Sequence, residues 1–154
     1  QYVCKRIGPK GCLVAIDLKP LKQALPPCAH VMQGDGLAPN PSISDRGPYD
    51  VVLSDMAPNT TGDKATDKIR SAELFRGAAK IAAEQLRPGG SFVGKLFMSG
   101  ELDAIRHELR EVFTKVRIMR PKAVRDVSYE VFLVGLERKD PNDSPSAEDT
   151  TDSD

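Results

Sequence analysis

The chain has 154 residues, 40% of them hydrophobic, which suffices for one domain with a real core but leaves only eight aromatic residues and no tryptophan to fill it. The formal net charge of zero hides a split: six of the 22 acids fall in residues 140–154, which hold no Lys or Arg, so residues 1–139 carry 22 basic and 16 acidic side chains. Such a basic body suits a polyanionic partner, or equally a solvated charged surface. Cys4, Cys12 and Cys28 show no CxxC spacing, which argues against a disulfide framework or zinc site and for a reducing compartment. No run of about 18 apolar residues and no signal segment is present, so no membrane role is expected.

Residues 1–11 (QYVCKRIGPKG) read as the last turns of a helix stopped by Gly8-Pro9. Three short apolar runs come next: Leu13–Leu18, Ala29–Gln33 leading into Gly34-Asp35-Gly36, and Tyr49–Ser54 leading into Asp55. Continuous runs of this kind fit strands covered on both faces, as in parallel sheets. From Thr66 to Leu86 the period turns helical, with Leu74, Ala78, Ile81 or Ala82, and Leu86 on one face, and Arg87-Pro88-Gly89-Gly90 ends it. Ser91–Phe97 is a strand. Ser99 can cap the next helix, whose first turn holds Glu101 and Asp103 and whose stripe is Leu102, Ile105, Leu109 and Val112. Two late strands, Lys115–Met119 and Tyr129–Leu136, are joined by a segment too short for a helical crossover.

This order predicts a doubly wound, Rossmann-like α/β domain over residues 1–139, with a mostly parallel sheet and a terminal antiparallel strand. The DPNDSPSAEDTTDSD segment, 140–154, has too little apolar surface to offset its ordering entropy and reads as a disordered acidic tail.

Ligands bind open α/β sheets outside the carboxyl ends of the parallel strands, where Asp17, Asp35 and Asp55 stand. Each acid alone can be a plain cap for the next helix; together they suit a ligand with several hydroxyl or amine donors, such as a nucleoside. None has metal-ligand spacing, and no metal is expected. His107 reads as solvated. In SDMAPNTTGDK (Ser54–Lys64), Pro58 forbids a helix, so a polar loop must hang over the sheet edge after Asp55. Lys95 sits inside the apolar run SFVGKLF and Glu130 inside YEVFLVGL. Each is either an edge residue whose head reaches water or a group kept there for chemistry.

Ser54-Asp55-Met56-Ala57-Pro58-Asn59 with Gly62, Pro88-Gly89-Gly90-Ser91-Phe92-Val93 leading to Lys95, Phe113-Thr114-Lys115-Val116, and Ser128-Tyr129-Glu130-Val131 stand in order along residues 1–138. In this the chain resembles the FtsJ/RrmJ family of ribose 2′-O-methyltransferases. The resemblance implies a class I methyltransferase fold, S-adenosylmethionine as cofactor, and transfer to an RNA ribose by a lysine–aspartate–lysine–glutamate tetrad. Matched residue by residue, Lys95, Asp55 and Glu130 are the catalytic set, and Asp17, Asp35 and Asp55 border the cofactor. Arg125 matches an arginine in the family's pattern and is the candidate RNA contact among Arg106, Arg110, Lys115, Arg117, Arg120, Lys122 and Arg125. The implied substrate is large-subunit ribosomal RNA or a ribosomal subunit. The implied protein is a monomer in the cytoplasm, or in the mitochondrial matrix of a eukaryote.

The family's glycine-rich loop and first tetrad lysine have no counterpart in the chain and are expected upstream of Gln1. Their strand would stand between those ending at Asp17 and Asp55, leaving two unpaired edges. A catalytically inactive RNA-binding fragment is therefore the second reading. For a lysine base near neutrality, apolar neighbours and nearby cations favour the neutral amine while carboxylates oppose it. Asp55 and Glu130 are thus better suited to orienting Lys95 and the hydroxyl than to tuning the base.

Overall fold

The computed structural model describes residues 2–120 and 130–142, and these divide into two compact units, Gln1–Gly47 and Pro48–Asp154. The first opens with helix α1 (Tyr2–Ile7), ended by Gly8 at φ 72°, a left-handed turn that glycine adopts without a Cβ clash. Strands β1 (Leu13–Asp17) and β2 (Ala29–Gln33) then pair in parallel, Leu13 against Ala29 through Asp17 against Gln33. Leu13 N donates to Cys28 O and Gly34 N to Asp17 O, which extends the ladder at both ends. Pro20, Pro26 and Pro27 keep the connection from forming a helix. A single turn, α2 (Pro41–Ser44), was not legible in the periodicity; Asn40 caps it by accepting from Ser42 N, with Pro41 at its first position.

The second unit holds β3 (Tyr49–Ser54), α3 (Lys64–Gln85), β4 (Leu86–Phe97), α4 (Leu102–Val112), β5 (Phe113–Met119) and β6 (Glu130–Arg138). Its sheet runs β3-β4-β6-β5, with β3 and β4 parallel and β6 inserted antiparallel between β4 and β5. β1 and β3 belong to different sheets, and among the described residues each pairs with one strand, β1 with β2 and β3 with β4.

Several boundaries differ from expectation: β5 starts at Phe113 rather than Lys115, and β6 runs to Arg138 rather than Leu136. β4 starts at Leu86 rather than Ser91, because Leu86 is buried and pairs with Tyr49 before Gly89, at φ 77°, shifts the register to Val51–Ser91. Helix α3 starts at Lys64, since Asp63 accepts from Ala65 N and Thr66 N and so caps it two residues early.

Alternation divides the faces of β4. Phe92, Gly94 and Leu96 turn toward α3 and α4, where they join Ala72, Phe75, Ala78, Ile105, Leu109, Phe113, Val131 and Leu133 in one core. A Cβ on Gly94 would lie 2.5 Å from the Phe75 ring, and one on Gly135 2.6 Å from Phe113, so the two glycines are the floor on which the aromatic rings rest. Phe92 bridges them, 5.5 Å from Phe75 and 6.3 Å from Phe113 between ring centres. Burying each large apolar side chain here contributes about 1.5–3 kcal/mol. Arg76 ties the helices together on the outside through Glu101 (2.7 Å) and Glu108 (2.9 Å), and those carboxylates push its guanidinium further above its ordinary range.

Candidate active site

Because Phe92, Gly94 and Leu96 face the helices, Lys95 is turned to the other side of the sheet, half-buried between Val93 and Phe97 on its own strand. Opposite Lys95 stands Phe132, and opposite Phe97 stands Glu130. Directly opposed residues in antiparallel strands share a face, so Lys95 and Glu130 are diagonal neighbours on one surface, at the roughly 7–8 Å spacing such positions have. On the other side β3 pairs with β4 up to Ser54–Gly94, and the next residues along are Asp55 and Lys95. Three residues distant in sequence therefore meet at one end of the sheet. Among the described residues no ion pair joins Lys95 to Asp55, and Asp55 is exposed.

The loop after Asp55 is neither helix nor strand up to Asp63, as Pro58 dictates. It is fastened at its far end: Thr61 donates its backbone N–H (2.9 Å) and its hydroxyl (3.0 Å) to Asp67 Oδ1 on α3. One turn further along α3, Ser71 Oγ accepts from Phe97 N (3.0 Å). Asp67 and Ser71 were missed in the sequence because a polar residue on a helix reads as solvated. The signal was present: extending the stripe of Ala82, Ala78 and Phe75 back by turns leads to Ser71 and then Asp67.

The remaining acids lie in the first unit. Asp17 ends β1, and Asp35 stands two residues past β2 at the same end of that sheet. Asp17 Oδ1 accepts from Lys19 N (2.8 Å) and Asp35 Oδ1 from Leu37 N (2.9 Å). Each carboxylate is thereby oriented by its own backbone and, among the described residues, keeps its second oxygen for another donor. This acceptor set fits the hydroxyl and amino groups of a nucleoside. Among the described residues no group of three or more His, Cys, Asp or Glu could hold a metal ion, and no helix is long and apolar enough to cross a membrane.

A cavity of about 330 Å³ between α3 and α4, lined by Phe75, Arg76, Ala79 and Leu109, lies on the helix side of the sheet and holds none of the candidate residues. Of the basic cluster, Lys115 pairs with Glu137 (2.7 Å) and Arg106 with Asp103 (3.2 Å), while Arg110, Arg117 and Arg120 are exposed. Arg125 and Lys122 lie outside the described residues. His107 is exposed on α4, as its position in the stripe predicted.

Parallel strands β1-β2 and β3-β4, helices packed on the second sheet and an antiparallel last strand fit a class I S-adenosylmethionine-dependent methyltransferase fold. Two solved structures share it. One is a Plasmodium falciparum protein assigned as a ribosomal RNA methyltransferase (TM-score 0.70, 22% identity, 84% of this chain and 73% of that one). The other is a Listeria monocytogenes protein assigned to the class I S-adenosylmethionine-dependent methyltransferases (TM-score 0.52, 16% identity, 89% of this chain and 47% of that one). The FtsJ-like methyltransferase family model matches residues 1–138, and the chain belongs to that family. It is 50% identical over 140 residues to a ribosomal RNA large subunit methyltransferase E of Sorangium cellulosum, covering 90% of this chain and 66% of that protein. To the Myxococcus xanthus protein of the same name it is 39% identical, covering 96% and 70%. The chain thus spans about two thirds of the length of these relatives.

Proposed function

We propose that this chain serves transfer of a methyl group from S-adenosylmethionine to a ribose 2′-hydroxyl of RNA, in large-subunit ribosomal RNA. Family membership and the names of the relatives support the reaction class and the substrate. The observation that carries it is the meeting of Lys95, Glu130 and Asp55 at one sheet end, on or beside strands that are far apart in the chain.

Asp17 and Asp35 would hold the cofactor through their free carboxylate oxygens, with Asp55 at its border. Bound S-adenosylmethionine supplies a sulfonium-activated methyl group. Lys95, half-buried on β4, receives the proton of the ribose hydroxyl. Asp55 and Glu130 orient the amine and the hydroxyl, a positional contribution. Arg125 is assigned to an RNA phosphate, where a fixed cation positions the strand without reading sequence. The same reading makes residues 1–139 the methyltransferase domain and 140–154 an acidic tail, and it makes the protein a metal-free cytoplasmic monomer.

The test incubates the full-length protein with methyl-tritiated S-adenosylmethionine and either large ribosomal subunits or protein-free ribosomal RNA. The label is expected in a 2′-O-methylated nucleoside that resists alkaline hydrolysis of its 3′ bond. Label in a base would sink the assignment.

A further inference from the structure

Asp67 and Ser71, 7% and 2% exposed, are the buried polar side chains among the described residues, and both stand on α3 one helical turn apart. Burying a carboxylate and a hydroxyl in an otherwise apolar interface costs free energy that an apolar pair of similar volume would avoid. Neither bonds to the other. Asp67 is spent on Thr61, at the end of the loop that starts from Asp55. Ser71 is spent on the amide of Phe97, two residues past Lys95 and beyond the last position at which β3 pairs with β4.

We propose that Asp67 and Ser71 are positioning residues that together set the separation of Asp55 and Lys95. Where β3 turns away at Ser54, the sheet no longer fixes the two chain ends against each other, and α3 takes over that task. One face of one rigid helix holds the Asp55 loop with Asp67 and the end of the lysine strand with Ser71. Both side chains are buried and bonded to protein groups, so they act through Thr61 and Phe97. The inference deepens the methyl-transfer reading and rests on it for its catalytic consequence, whereas the clasp itself is a structural claim.

Two measurements on the full-length protein decide it. In single-turnover methylation of RNA, Ser71→Ala and Asp67→Ala are each expected to lower the rate constant about 10²-fold, the loss that a misplacement near 1 Å produces. The KM for RNA and the affinity for S-adenosylmethionine should stay within about twofold of wild type. Ser71→Thr, which restores the hydroxyl, should recover most of the rate, and Thr61→Val should lose part of it while sparing the buried carboxylate. Amide hydrogen exchange reads the clasp without catalysis. Ser71→Ala should deprotect Phe97, and Asp67→Ala should deprotect Thr61, with protection through the middle of α3 unchanged. Should Asp67→Ala not fold, Thr61→Val carries the loop arm of both measurements. Wild-type exchange at Phe97 and Thr61 in the variants, or a wild-type rate in Ser71→Ala, overturns the proposal. A wild-type protein that methylates no RNA overturns the functional reading instead, and the exchange result still decides the clasp.

Discussion

The unit that ends at Gly47 and the one that begins at Pro48 both close parallel strands with acids, but they differ in what lies beneath those acids. In the first unit Cys4 is the buried residue among those described, and Leu18 and Leu21 are 71% and 52% exposed. In the second, Phe92, Leu96, Val131 and Leu133 are wholly enclosed beneath α3 and α4. Asp17 and Asp35 are oriented by backbone amides two residues away, a local arrangement that requires no core. Lys95 has a long flexible stem, and its placement depends on strands and a helix that meet only through tertiary packing. A locally oriented carboxylate tolerates a lean scaffold, whereas a lysine placed by tertiary packing does not.

Functional substitutions should separate the two units most sharply. Lys95→Ala is expected to lower the methylation rate about 10²–10⁴-fold while leaving S-adenosylmethionine affinity nearly intact, and Asp17→Ala should show the reverse pattern in calorimetric titration. Equal loss of both quantities in either variant would erase the division of labour. Stability should divide in the same way: Phe92→Ala should cost about 3–5 kcal/mol in urea unfolding, against no more than about 0.5 kcal/mol for Val31→Ala, whose side chain is 39% exposed. Gly94→Ala should cost about 1–3 kcal/mol, since its methyl would press into the Phe75 ring.

The smallest effect is pH-dependent. The Thr66 hydroxyl and the amides of Ala65 and Thr66 hold the Asp63 carboxyl below its ordinary range. A carboxyl depressed in the folded state stabilises above its unfolded pKa, about 3.9, and loses that stabilisation as pH falls through the folded value. The gap in unfolding midpoint between wild type and Asp63→Ala should therefore be constant from pH 7 to 5 and shrink below about pH 4. Thermal unfolding across that range checks it.

Most strands were legible because apolar runs bounded by Gly, Pro and acids leave few alternatives, and β2 and β3 match their expected bounds. The stripe of α4 was legible for the same reason. The start of β4 was not, since Arg87-Pro88-Gly89-Gly90 has turn chemistry and only the pairing of Leu86 with Tyr49 makes it part of the strand. Asp55, Lys95 and Glu130 stood out as polar residues in or beside apolar runs, although their shared location comes from register, which no local pattern encodes. Asp67 and Ser71 stayed hidden because what matters about them is a partner, and their partners Thr61 and Phe97 are 6 and 26 residues away.

The glycine next to Lys95 carries a consequence for anyone mapping this protein by substitution. Any side chain at position 94 must displace the Phe75 ring, which packs against Phe92 in the core. A mutational scan scored by activity alone would mark Gly94 as intolerant, next to a lysine with the same score. The two would look alike on the map, though one is the proposed base and the other only leaves room for the Phe75 ring.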